Sequence, residues 1–198
     1  MIISNLHFER IKSRHSNMIA SFQTYQKELR DFLVEDALKM QEWAVSSTFL
    51  VFDSRNYPRK ELLAYITILN DSIRLDASLK TAFREKGINY KSLPALKIGR
   101  LCVDQRYERK RIGECMLVWA AHRVAHLNQN SACRFITLDA KRHSEREKDS
   151  FHFYRRYGFR VLKKKGDTAD PALQRSGTTP MYMDLYKVIR QVKDRLNF

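Results

Sequence analysis

The stretch RLCVDQRYERKRIGECMLVWA, Arg100 to Ala120, constrains this chain more than any other. An apolar strand over Ala95–Val103 runs into a basic turn, Arg106-Tyr107-Glu108-Arg109-Lys110-Arg111, which passes through Ile112 and Gly113 into an amphipathic helix. The first turn of a helix has N–H groups without intrahelical partners, and the helix dipole adds partial positive charge there. With several cations beside it, such a helix start is an anion-binding device, and the density of cations points to a polyphosphate.

The whole chain shares that bias. Lys and Arg number 37 against 22 Asp and Glu, a net charge of +15 over 198 residues. An excess of this size favours polyanionic partners: phosphorylated cofactors, nucleic acid or an acidic protein. The length predicts one domain, 1–198, closed by a short helix over about 187–198. No apolar run approaches a membrane span, and the opening MIISNLHFERIKSRHSN lacks the pattern of a signal peptide. A cytoplasmic location and no membrane partner follow. Cys102, Cys115 and Cys133 are widely spaced in apolar settings and read as buried, reduced thiols. His122 and His126 share a helix face, but there is no HExxH context and no CxxC pair. No metal site is expected.

Along the chain, Met1–Ile11 has strand character and Phe22–Ser47 a helical apolar stripe. Ser47–Asp53 and Glu61–Leu75 read as an antiparallel hairpin across SRNYPRK. A short helix over Leu79–Lys86 stops at Gly87. The central strand and its helix, about Gly113–Asn128, precede a buried strand over Cys133–Ala140. Ser144–Tyr157 is helical in pattern and ends at Gly158, where a left-handed cap fits. Phe159–Lys163 reads as a strand, KKKGDTADPALQRSGTT as a polar loop, and Pro180–Tyr186 as the last strand. This order predicts an α/β fold, antiparallel at first and with a parallel pair in the middle.

The run Leu96–Leu117 resembles the acetyl-CoA motif of the GNAT N-acetyltransferase superfamily, in which a turn of the form Gln/Arg-x-x-Gly-x-Gly/Ala cups the pyrophosphate. The corresponding window here is Glu108-Arg109-Lys110-Arg111-Ile112-Gly113. Gly113 matches, while Glu108 and Arg111 depart from the family's residues. Phe153-Tyr154-Arg155-Arg156-Tyr157-Gly158-Phe159 resembles the FYxxxGF sequence that ends the family's last conserved helix. Glu147 and Ser150 stand where the family often has Asn and Ala. The resemblance implies a GNAT-like mixed sheet, antiparallel N-terminal strands with a central parallel pair, flanked by helices.

It also implies residue roles. The cofactor-binding set is Leu101, Cys102, Val103, Arg109, Lys110, Arg111, Ile112, Gly113 and Glu114. Backbone N–H groups near Cys102 and Val103, on a strand splayed from its neighbour, would polarise the thioester carbonyl. Tyr154 would donate a proton to the departing thiolate, a role that suits a phenol of ordinary pKa about 10. Glycine is normally wanted where phosphate meets backbone, so Arg111 poses a question. Either its side chain turns outward from an ordinary helical conformation, at little cost, or the pyrophosphate site is looser than usual; cofactor binding is expected to be retained. Asp139, Glu108 and His152 are acceptable types for a general base, and none is uniquely placed.

The leading expectation is an acetyl-CoA-dependent N-acetyltransferase that passes acetyl directly to a primary amine. The acceptor classes are a small molecule, a protein or an aminoacyl-tRNA. The IGRLCVD segment and the basic charge are similar to the family's toxin branch, which acetylates aminoacyl-tRNA and is checked by a small DNA-binding antitoxin. That alternative adds tRNA and an antitoxin protein as partners; a homodimer is a further partner state open to it. The contrasting reading is a non-catalytic acyl-CoA fold that holds nucleic acid, kept open by Glu108, Arg111 and Glu147.

Overall fold

Strand β3 (Leu62–Arg74) carries a run from Leu62 to Ile68, apolar but for Thr67, whose residues are all buried. A run buried on both faces needs neighbours on each side and a layer above each face. The computed structural model, which describes residues 5–56, 61–143, 149–163 and 177–196, supplies them in two compact units. One unit is Met1–Leu69 with Ile98–Ala120, and the other is Asn70–Lys97 with Ala121–Phe198. Among the described residues, no helix is long and apolar enough to cross a membrane.

In the first unit, β1 (Leu6–Arg10) pairs antiparallel with β2 (Ser47–Asp53), and β2 with β3, in the register Leu6↔Asp53 and Val51↔Ala64. The hairpin expected from the sequence is therefore present. Strand β4 (Ser92–Val103) follows β3 in the sheet. Helix α1 (Ser16–Ala20) and the helical run α2 (Lys27–Asp31), a π-turn (Phe32–Asp36) and α3 (Ala37–Glu42) cover one face. Ile19, Phe22, Leu33 and Ala37 pack there with Leu50, Phe52, Tyr65 and Cys102. The Tyr65 hydroxyl donates to the Leu29 carbonyl at 2.7 Å, which satisfies the polar end of a fully buried ring.

The helix expected over Phe22–Ser47 begins only at Lys27. Phe22 instead packs edge-on against Tyr65, and the Gln23 backbone is engaged by residues 104 and 105, so it cannot join a helical ladder. The sequence pattern also omits α1, whose five residues are too few to display a period.

In the second unit, β4 pairs parallel with β5 (Phe135–Arg142) over Ala95–Lys97 and Phe135–Thr137. This is the expected central parallel pair. β7 (Gly177–Asp184) lies antiparallel to β5 over eight residue pairs and places the two-residue β6 (Arg160–Val161) at the edge. Helix α4 (Ala77–Arg84) is capped by Asp76, whose Oδ1 accepts from the Leu79 N–H at 2.9 Å. Phe83, Phe135 and Tyr182 then form an edge-to-face series in the core.

Several boundaries differ from expectation: α4 spans Ala77–Arg84 rather than Leu79–Lys86, and β5 Phe135–Arg142 rather than Cys133–Ala140. β6 is shorter than Phe159–Lys163, because Phe159 is buried against Tyr154. β7 ends at Asp184, whose carboxylate accepts the Tyr186 N–H and two bonds from Arg134, and so opens α7 (Tyr186–Leu196). The helix expected over Ser144–Tyr157 is described as α6 (Phe151–Arg156); residues 144–148 lie outside the described residues, as do 164–176 of the polar loop expected over 163–179, whose last three residues belong instead to β7.

Gly158 adopts φ +91° directly after α6, the left-handed cap expected there. A Cβ at this position would meet only Met183 Cε, at 3.9 Å, so space does not require glycine and the backbone does. Gly158→Ala should therefore destabilise the protein by about 1–2 kcal/mol through backbone strain alone, read from the urea midpoint at unchanged m-value.

Candidate functional site

The basic turn is built between two buried anchors. At its start, β4 ends at Val103, and Asp104 begins a 3-10 turn over Gln105–Tyr107. At its end, α5 (Ile112–Leu127) opens with Ile112, which is only 1% exposed. The Ile112 side chain is thus spent on packing, and only its N–H can face a ligand. Arg109, Lys110 and Arg111 between the anchors are all exposed.

Backbone conformation is the informative part. Arg109 has φ +59° and Arg111 φ +60°, both left-handed, while Lys110 between them is not. For a residue with a Cβ this costs about 1–2 kcal/mol each. The expectation of an ordinary helical Arg111 is therefore corrected: the residue adopts the left-handed backbone that favours glycine. Its side chain does turn outward. Arg111 Nε and Nη2 donate to the two carboxylate oxygens of Glu114 at 2.7 and 2.8 Å, across the first helical turn. An exposed pair of this kind contributes no more than about 1 kcal/mol, so it does not set the backbone. Asp104 and Ile112 hold the two ends of the turn. Alternation of left-handed and ordinary residues turns successive N–H groups to one side, the concavity in which anions are held. The N–H groups of Ile112, Gly113 and Glu114, at the start of α5, extend it.

Arg106 does not belong to that concavity. Its Nε and Nη2 donate to Asp104 at 2.8 Å each, and its Nη1 lies 3.6 Å from Glu61. Burial pushes the Tyr107 hydroxyl up to about 12, with a hydrogen bond to Glu61 acting in the same direction. Lys110 sits 4.9 Å from the Tyr107 ring centroid, a cation–π contact that leaves its charge at the surface.

Leu101, Cys102 and Val103 lie on the last residues of β4, with Cys102 buried and the other two half-buried. Burial pushes the Cys102 thiol up to about 12, against a hydrogen bond from its Sγ to Thr24 Oγ1 at 3.5 Å that acts the other way. A thiol held protonated is no nucleophile, which agrees with its reading as core. All three cysteines are free and buried.

In the second unit, Tyr154 lies on α6 and is 7% exposed. Edge-on contacts with Phe153 at 5.1 Å and Phe159 at 5.5 Å fix its ring. The helix itself is tied to the end of β5. The Lys141 N–H donates to Ser150 Oγ at 2.8 Å, and the Ser150 N–H to the Lys141 carbonyl at 3.0 Å. Arg142 stacks over Phe151 at 4.0 Å, with its Nε 3.1 Å from Asp149. Of the candidate bases, Asp139 is 2.7 Å from Lys97 Nζ, and Glu108 and His152 are exposed. Among the described residues, no group of three or more His, Cys, Asp or Glu is placed to hold a metal.

Sequence reasoning missed Asp104 and Gln23, which share a hydrogen bond across 81 residues. The available signal was an aspartate directly after a strand and two residues before an arginine, a turn-forming spacing.

Two measurements check this geometry. Arg109→Gly should leave stability within about 1 kcal/mol of the parent, because relief of strain offsets the looser unfolded chain, whereas Arg109→Val should cost about 2 kcal/mol by urea unfolding. In the native protein at pH 8, a thiol-reactive disulfide reagent should label Cys102 and Cys133 far more slowly than in urea, since burial pushes the latter thiol up to about 11 as well.

No protein-family model and no curated sequence matches the chain. Solved structures do. A tyrosine-to-phenylalanine variant of KacT is 19% identical, with a TM-score of 0.72 over 95% of this chain and 99% of that one. AtaT complexed with acetyl-methionyl-tRNAfMet is 17% identical, with a TM-score of 0.71 over 94% of this chain and 98% of that one. A variant of the AtaT toxin bound to the C-terminus of the antitoxin AtaR and acetyl-CoA is 14% identical, with a TM-score of 0.69 over 95% and 98%. The chain has the mixed α/β fold of these proteins, the GNAT-like architecture that its strand–turn–helix and Phe153–Phe159 segments resemble.

Proposed function

We propose that this chain is an acetyl-CoA-dependent N-acetyltransferase whose acceptor is the amino group of an aminoacyl-tRNA. The observation that carries the reading is the fold held in common, over nearly the whole chain, with AtaT complexed with acetyl-methionyl-tRNAfMet. The narrower choice of acceptor, over small molecules and proteins, rests on the same likeness and on the net charge of +15. Phosphate contacts from surface cations supply the sequence-independent part of RNA affinity. An antitoxin polypeptide is proposed as the second partner, by analogy with AtaT bound to AtaR.

The residues present fit a pyrophosphate. The left-handed backbone at Arg109 and Arg111 makes room for it where glycine usually does so, and Arg109 and Lys110 bring exposed positive charge. In this reading Arg109, Lys110, Arg111, Ile112, Gly113 and Glu114 hold the diphosphate mainly through backbone N–H groups. Leu101, Cys102 and Val103 bind along the edge of β4 and polarise the acyl oxygen. Acetyl-CoA supplies an activated acetyl thioester when bound. Tyr154 holds a proton at Oη for the departing sulfur, and the aromatic contacts from Phe153 and Phe159 keep that hydroxyl from swinging away.

At a hundredfold excess over its Kd, acetyl-CoA should stabilise the protein by about 2.7 kcal/mol, visible as a rise in Tm. Tyr154→Phe should keep that rise while lowering kcat by roughly a hundredfold or more. Purified protein with charged tRNA should yield acetyl-aminoacyl-tRNA by mass spectrometry and should arrest cell-free translation. Absence of any Tm shift rejects the donor site. A shift with acetylation of polyamines or proteins but not of charged tRNA rejects the acceptor.

A further inference from the structure

The acetyl-transfer reading leaves one charged group without a role: the carboxylate of Asp104, which is 0% exposed. Four donors converge on it. The Arg106 N–H and Nε reach Oδ1 at 3.0 and 2.8 Å, while Arg106 Nη2 and the Gln23 N–H reach Oδ2 at 2.8 and 2.9 Å. One oxygen thus serves the turn alone, and the other is shared between the turn and the segment Phe22–Gln26. Further bonds run beside this one. The Gln105 N–H donates to the Gln23 carbonyl at 2.9 Å, and Gln105 Nε2 to Gln23 Oε1 at 3.0 Å. Thr24 accepts from Cys102 Sγ.

A turn of this length needs only the bond to the Arg106 N–H for its cap. The buried charge does more. An ionised carboxylate out of water is tolerable only while its donors stay in place, because no solvent can replace them. Burial alone would raise the Asp104 pKa, but Arg106 and the Gln23 N–H outweigh it and hold the carboxyl below its usual range. The Arg106 guanidinium, the backbone of the turn and residue 23 therefore cannot move independently. Phe22 anchors one end of the segment in the core, whereas Tyr25 beyond it is 73% exposed.

We propose that Asp104 is a positioning residue that couples occupancy of the 105–113 turn to the conformation of Phe22–Gln26. This rests on the reading of the turn as the pyrophosphate site. Binding of the donor then fixes the segment that carries the exposed Tyr25.

Hydrogen exchange by mass spectrometry on the full chain, with and without CoA, tests this. CoA should slow exchange at residues 105–115 and also at 22–26. In Asp104→Asn at saturating CoA, slowing should persist at 105–115 and vanish at 22–26. The same variant should raise KM for acetyl-CoA about tenfold, with kcat changed less than about threefold. A brace that merely stabilised the fold would lower Tm and leave the CoA-dependent slowing at both segments. Slowing confined to 105–115 in the parent, or retained at 22–26 in Asp104→Asn, overturns the coupling and leaves the donor site standing. No slowing at either segment overturns the donor site and the coupling with it. If Asp104→Asn does not fold by far-UV circular dichroism, Arg106→Lys, which keeps the charge and loses the two-point bond, should give the same loss at 22–26; retained slowing there overturns the coupling.

Discussion

A buried carboxylate beside a strained turn organises the N-terminal unit. Asp104 fixes one end of the turn through Arg106, and Ile112 fixes the other by burial at the start of α5. Between these points the chain crosses seven residues, Gln105 to Arg111, of mixed charge. Two of them adopt left-handed backbone that their own side chains disfavour. The surface pair Arg111–Glu114 contributes no more than about 1 kcal/mol to that shape, while both ends of the turn are buried. Backbone strain of this kind persists only where the surrounding structure over-determines it. The cations then work from a fixed frame: Arg106 is committed inward, while Arg109 and Lys110 stay at the surface.

The second unit reaches rigidity by different means. Tyr154 is held by rings, and its helix by a polar joint with the end of β5 through Ser150, Asp149 and Arg142. The insertion of β7 between β5 and β6 gives β5 a partner on its second edge over its whole length. A short helix of six residues would be marginal alone, since nucleation costs more than so few bonds return. Its packing against β5 is what makes Tyr154 a fixed group.

Most of the strand order was legible because the relevant signals are local. STFLVFD and ELLAYITIL carry β-branched and aromatic residues at a density that only a buried sheet accommodates, and both strands lie within one residue of expectation at most ends. The turn and the Phe153–Phe159 segment were legible as motifs. What sequence could not yield depends on partners distant in the chain. Phe22–Gln26 continues a helical apolar stripe, yet its backbone bonds to residues 104 and 105, and this tertiary demand overrides local propensity. Residue type at Arg111 favours an ordinary helical backbone, whereas the structure gives it φ +60° between two buried ends.

The stacking of Phe8 on Trp119, at 4.7 Å and 4° between planes, with Phe49 tilted against the same indole, has a spectroscopic consequence. The chain has two tryptophans, and the other, Trp43, is 77% exposed just beyond α3. One indole is thus clamped between rings on the helix that begins at the basic turn, two helical turns along from Ile112. Its companion is bathed in solvent at the end of a helix in the same unit. Their emission should separate by wavelength and by quencher access, which makes intrinsic fluorescence a built-in gauge of whether α5 stays seated when its first turn meets a charge.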